Sequence, residues 1–252
     1  SRLVYSRNVN KVKKLVRNYH TGIDNQVINF TETSAGGGFI REGDSMGDVY
    51  ITKVLKRDAA GNIAVGADGS LSSMDLPNGQ RLKIGNTNPD FTLGWRNNIS
   101  WKGLNLSFLI NARVGGIVTS ATQAVLDQFG VSKATADARD RGYVEVAGGQ
   151  KVDPQKYYEV VANQQLMGYY YYSATNVRLQ NVSLSYTLPK TLLGQGWPGV
   201  TVGLIANNLW MIYNKAPFDP EVAASTGTYG QGSDYFSAPS LRNIGFSLKL
   251  NF

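Results

Sequence analysis

Residues 91–114 read FTLGWRNNISWKGLNLSFLINARV. In the first half Phe91, Leu93, Trp95, Asn97, Ile99 and Trp101 alternate onto one face, and in the second Leu104, Leu106, Phe108, Ile110, Ala112 and Val114 do the same. Period two of this kind belongs to strands with one apolar side. Only Lys102 and Gly103 separate the arms, the length of a two-residue hairpin turn in which glycine supplies a positive φ. A turn there sets Trp101 against Leu104, Ile99 against Leu106, Trp95 against Ile110 and Phe91 against Val114, so the two apolar faces coincide. A slip of one residue would mix them, which fixes the register. The opposite face then carries Thr92, Arg96, Asn98, Ser100, Asn105, Ser107, Asn111 and Arg113.

Each arm has about eleven residues, against about five or six for a soluble strand and about nine to eleven for a tilted transmembrane strand. Trp101 beside the turn and Phe91 at the far end of the same face stand where aromatic girdles meet the two membrane interfaces. A long soluble hairpin laid over a helix is the competing reading.

Composition is compatible with the membrane reading. The chain has 252 residues, 42% of them hydrophobic, with a mean hydropathy of −0.23. No run approaches the roughly 18 to 20 apolar residues of a spanning helix, which excludes a helical membrane protein but not a β-barrel, where only alternate residues face lipid. The 28 glycines and 14 tyrosines, with many Asn and Thr, favour strands and turns, hence an all-β fold. Without cysteine there are no disulfides or thiolate metal sites. The net charge of +7 comes from scattered Lys and Arg, apart from KVKKLVR at 11–17, and no nucleic-acid motif accompanies it, so no nucleic-acid partner is expected. The opening SRLVYSRNVNKVKK lacks the apolar core and cleavage site of a signal peptide.

Further strands follow the same pattern. Within SATNVRLQNVSLSYTLP, 173–189, the alternation through Val177 and Leu179 shifts phase to Val182, Leu184, Tyr186 and Leu188, predicting a bulge near Gln180 and Asn181. VTVGLIANNLW at 200–210 and LRNIGFSLKLNF at 241–252 supply two more, the last with Ile244, Phe246, Leu248, Leu250 and Phe252 on one face. GDVYITKVLKRD at 47–58 is another candidate, and residues 1–16 are expected to hold the end of one more. Short connections at 102–103 and 190–199 alternate with long ones at 59–90, 115–172 and 211–240. Outer-membrane barrels pair short periplasmic turns with long outer loops, which puts the long loops outside and the C-terminus in the periplasm. About six to seven strands do not close a barrel of this kind, so the expectation is a portion of a larger antiparallel transmembrane β-barrel.

The stretches IGNTNPDFTLGWRNNISWKGLNLSFLINARVGG (84–116), RDRG (139–142), NVRLQNVSLSYTLPK (176–190), ANNLW (206–210), FDPE (218–221) and the closing strand carry a family likeness. The chain resembles the C-terminal part of the SusC/RagA-like TonB-dependent outer-membrane transporters of Bacteroidetes. NNLW departs from the commoner NLF-like tripeptide, and residues 1–42 match loosely. The resemblance implies a 22-stranded barrel of which 1–252 is the C-terminal segment, a plug domain and TonB box outside this chain, coupling to TonB, and a SusD-like lipoprotein as partner. It implies import of oligomeric nutrients, glycan or peptide, and a role for Phe252 in the assembly signal. The alternative is a non-energised pore or surface-anchoring barrel.

Nothing in the sequence calls for an enzyme, a cofactor or a metal. His20 is the only histidine and reads as a solvated surface residue. DAAGNIAVGADGS at 58–70 lacks the ligand series of a calcium loop and reads as turns. GGG at 36–38 lacks the strand-to-helix context of a phosphate loop. Asp219 and Glu221 read either as a cation site or as a loop anchor to the barrel wall, with anchoring preferred. The substrate-facing candidates are Arg96, Asn98, Asn111, Arg113, Asn243 and Lys249 on the lumen face, and Tyr169 and Tyr170 of YYYY (169–172) at the outer rim, the tetrad reading first as an interfacial girdle and second as a stacking platform.

Overall fold

A computed structural model describes residues 1–20, 27–35, 38–162, 164–194, 198–221 and 232–251. Six strands make one sheet: β1 (Arg2–Ser6), β2 (Phe91–Trp101), β3 (Leu104–Val114), β4 (Asn176–Thr187), β5 (Gly199–Asn214) and β6 (Asn243–Asn251). Each pairs antiparallel with its neighbour in this order, so the wall is a simple meander.

The β2–β3 register runs without a break from Phe91 opposite Val114 to Trp101 opposite Leu104. Lys102 (φ 44°) and Gly103 (φ 86°) both take the positive φ of a type I′ turn. A side chain on Gly103 would also meet the Thr187 carbonyl oxygen at 2.8 Å, so strain and space both require glycine there. Between β3 and β4 the pairing passes from Ile110 opposite Leu179 to Leu109 opposite Asn181, leaving Gln180 as the inserted residue of the expected bulge. β5 is irregular at the same level, where Asn208 has φ 49°.

Pairing parity builds one continuous apolar face. Leu3 stands opposite Trp95, Trp95 opposite Ile110, Ile110 opposite Leu179 and Leu179 opposite Trp210. Toward the far edge Leu184, Leu204 and Phe246 make a similar row. Ile110 and Leu179 are half-buried in these rows, while the others are exposed, Leu3 by 68% and Phe246 by 69%, as are Trp101 (66%) and Ile244 (71%) of the same face. Water-soluble monomers rarely present apolar patches beyond a few hundred Å². An eleven-residue strand at about 3.4 Å per residue, tilted about 45°, covers about 25 Å of height, the thickness of a barrel's apolar band. Trp101 and Tyr186 mark the tight-turn end of the face. Tyr5 and Phe91, with ring centroids 5.6 Å apart, mark the other.

Residues 47–58 are not a wall strand. Asp48–Ile51 pairs with Leu82–Asn86, and Lys53–Leu55 pairs with Ser73–Asp75, both away from the wall. The reason lies in the pattern: Val49, Ile51 and Leu55 share one parity while Tyr50 and Val54 share the other. Such a segment has no polar side to turn toward water, and Leu55 ends up 1% exposed.

The long connections pack into a cap at the end of the wall opposite the tight turn. Its core joins Leu55, Ile63 and Leu71 of the first connection, which runs over 7–90, to Ala124, Val146, Val152, Val161, Leu166 and Tyr170 of the second, 115–175. The second connection carries short helices that the all-β reading of the wall omits: α1 (Ala121–Gln128), α2 (Lys133–Arg141) and α3 (Pro154–Val161). Each begins where a side-chain oxygen accepts a backbone N–H, from Gln123 to Ser120, Thr135 to Ser132 and Lys156 to Asp153. Among the described residues no helix is long and apolar enough to cross a membrane, which says nothing of strands.

Candidate functional site

The polar face of the wall holds an open concavity of about 550 Å³. Arg96, Asn111 and Arg113 line it together with Arg2, and Glu221 reaches it from the last long connection. β2 and β3 bring the three predicted residues together because Gly94 stands opposite Asn111 and Thr92 opposite Arg113. Gly94 leaves the floor bare: a side chain there would approach Asn111 Oδ1 to 3.3 Å. Asn111 Nδ2 donates to Gln180 Oε1, the bulge residue, and Arg113 Nη2 donates to the Thr87 carbonyl at 2.7 Å. The other lumen candidates lie elsewhere. Asn98 is opposite Ser107, closer to the tight turn. Asn243 and Lys249 sit on β6 opposite Asn207 and Thr201. All three are exposed and none joins the concavity.

Beside it, the last long connection is fastened to the wall. Arg178 of β4, 4% exposed, places Nη2 2.6 Å from Asp219 Oδ1 and 3.6 Å from Glu221 Oε2. Burial pushes the Asp219 carboxyl up, but hydrogen bonds from Ser240, the Glu221 N–H and Arg178 outweigh it and hold the group below its ordinary value. Asp219 and Glu221 are therefore a loop anchor, the preferred reading of FDPE. Their partner Arg178 is the one cation in NVRLQNVSLSYT, and parity with Asn176 puts it on the polar face, the signal in the sequence that points to it.

At the outer rim the tyrosines divide. Tyr169 is 38% exposed, whereas Tyr170 is 2% exposed and donates to Asp127 Oδ2 at 3.0 Å. Burial, then the Asp127 charge, raise its pKa. Tyr170 is thus a cap-core residue that cannot offer its ring to a solute. Tyr171 and Tyr172 lie on a cap strand paired with Ile117–Ser120, so the tetrad is not a girdle on the lipid face either. Burial pushes Tyr172 up to about 12.

The first connection carries a cluster that the sequence did not suggest. The Arg81 guanidinium lies 3.6 Å from the Phe39 ring centroid and Arg41 lies 5.3 Å from that of Tyr50. Glu32 pairs with Arg81 at 3.0 Å and with Arg41 at 3.3 Å. Its members are spread along the chain from Glu32 to Arg81, which hides it from any linear motif. Asp58 accepts the N–H groups of Ala60 and Asn62, and Asp68 that of Ser70, so 58–70 is built from turns. His20 is exposed on a two-residue strand. Gly36, Gly37 and Phe252 lie outside the described residues, so the glycine run and the terminal assembly signal are not addressed by the structure.

The chain aligns over 98% of its length with TonB-dependent receptor P3 of Formosa agariphila at 26% identity, and over 81% with TonB-dependent receptor P39 of the same organism at 27%. The fold matches the RagAB peptide transporter with a TM-score of 0.59 over 89% of the chain at 17% identity. The fold is that of a portion of the RagAB transporter chain. The RagAB peptide importer in its open-open state gives a TM-score of 0.57 over 88% at 19% identity. The chain is thus similar to these receptors in sequence along nearly its whole length and to RagAB in fold. The chain spans 26% and 20% of the two receptors and about a quarter of the RagAB chains. No protein-family model matches it.

Proposed function

We propose that this chain forms part of the wall and outer cap of an outer-membrane barrel that imports oligomeric nutrients with energy from TonB. The observation that carries the reading is the two-sided wall: an exposed apolar face continuous over six strands, backed by a polar face that gathers Arg96, Asn111 and Arg113. A wall of this kind separates lipid from an aqueous lumen. The cap of long connections is then extracellular, the tight turn Lys102–Gly103 periplasmic, and 1–252 a C-terminal barrel segment with plug and TonB box elsewhere in the protein. A SusD-like lipoprotein is the proposed partner over the cap. The polar-face residues, with Asn98, Asn243, Lys249 and the exposed Tyr169, are the proposed solute contacts, and Phe252 the proposed assembly signal.

The test uses the complete receptor expressed in its membrane. Heat-modifiable migration after outer-membrane fractionation checks the barrel, and growth on fractionated glycans or peptides, with and without the TonB box, checks energised import. Growth that persists at the wild-type rate without the TonB box supports the non-energised pore instead. Recovery of the protein in the soluble fraction removes both readings.

A further inference from the structure

We infer that the polar-face concavity is a carboxylate-binding site whose clamp is Arg2 and Arg96. This inference rests on the reading of that face as lumenal. Arg2 of β1 and Arg96 of β2 are direct register partners, so their Cα atoms stand about 5 Å apart and their side chains leave the sheet on the same side. Like charges directly opposite each other weaken a strand pair. Neither arginine has an ion-pair or hydrogen-bond partner among the described residues. Arg113 adds a third guanidinium to the same concavity, and its buried Nε has no hydrogen-bond partner.

Among the described residues the one carboxylate lining the concavity is that of Glu221, which also lies 3.6 Å from Arg178 and so is shared. Three arginines against one shared carboxylate leave an excess of positive charge in a recess with Gly94 at its floor. Two guanidinium forks side by side match the two oxygens of a carboxylate better than they match neutral hydroxyls. Val4 and Leu109 flank the arginines, which suits a carboxylate attached to an apolar body. The carboxylate has two sources: a solute in transit, or an Asp or Glu of another segment of the same receptor resting against the wall.

The experiment takes the complete receptor in detergent and measures its melting temperature with and without millimolar citrate, against sodium chloride of equal ionic strength, for the wild type and for the double variant Arg2→Gln, Arg96→Gln. A rise on the order of 2 °C with citrate in the wild type that is lost in the double variant supports a site open to solute. No citrate effect in the wild type, with the double variant melting several degrees lower, supports an internal carboxylate already in place. A citrate effect equal in both proteins overturns the inference. So does the absence of any citrate effect with a double variant as stable as the wild type or more so, since removal of two repelling charges would then be the whole consequence. Failure here leaves the barrel reading standing, because that reading is tested by fractionation and heat-modifiability.

Discussion

Arg178 on β4 holds Asp219 of the last long connection at 2.6 Å, with the two side chains 5% and 10% exposed. Removing one partner of such a pair leaves a buried charge uncompensated, at a cost of about 3 to 5 kcal/mol. Asp219→Ala is expected to cost of order 3 kcal/mol, toward the lower end of that range, because Glu221 stays within 3.6 Å of Arg178. The connection 215–242 then opens locally while the barrel persists. Limited proteolysis checks this: the variant is cut in that connection at a protease concentration that leaves the wild type whole. Equal resistance would mean that Asp219 does not hold the loop.

The same pair gives a pH dependence whose sign is fixed. The folded Asp219 carboxyl titrates below its ordinary 3.8. Its contribution is therefore complete above about 3.8 and is lost as pH falls through the lower folded value. Protease resistance of the connection is expected to be flat between about pH 7 and 5 and to fall only in stronger acid. In Asp219→Asn that acid-dependent fall is smaller. A loss already present near pH 6 would assign the transition to another group.

Gly103 tests the hairpin. Alanine there has to take φ 86° and place its methyl carbon 2.8 Å from the Thr187 carbonyl oxygen. A side chain at an incompatible φ costs about 1 kcal/mol or more before the clash is counted. Gly103→Val is expected to lower the folded barrel fraction, read as heat-modifiable protein on a gel, more than Lys102→Asn, since asparagine tolerates positive φ.

The difference between what was legible in the sequence and what was not follows from the range of the interactions. The wall was legible because its signal is local: alternation over eleven residues, a two-residue turn and a phase shift at Gln180 each lie in one continuous segment. The cap was not, because its structure depends on segments far apart in the chain. Leu55 reads as strand and is strand, but only its burial in one core with Val161 of α3 and Tyr170 decides that this strand belongs to the cap and not to the wall. The candidate site divides along the same line. Parity puts Arg96, Asn111 and Arg113 on one face, whereas Arg2 joins them only through its pairing with Arg96, and the burial of Tyr170 cannot be read from a run of four identical residues.

Trp95 and Arg96 together test orientation. Trp95 packs edge-on against Phe108, centroids 5.3 Å apart, on the apolar face. Arg96, one residue on, lines the concavity on the other side. A cationic side chain turned toward lipid near the bilayer midplane costs about 2 to 4 kcal/mol, and substitutions on the lumen side mainly tune passage. Trp95→Arg is therefore expected to reduce the folded barrel fraction, while Arg96→Ala assembles normally and changes at most uptake. Both variants are measured by heat-modifiability after outer-membrane fractionation and by growth on the imported nutrient. A soluble sheet would give a different pattern, with Trp95→Arg losing a core aromatic, Arg96→Ala nearly silent, and neither protein partitioning into detergent. If Arg96→Ala misassembles while Trp95→Arg does not, the apolar face is turned inward and the lumenal assignment of Arg2, Arg96 and Arg113 falls with it.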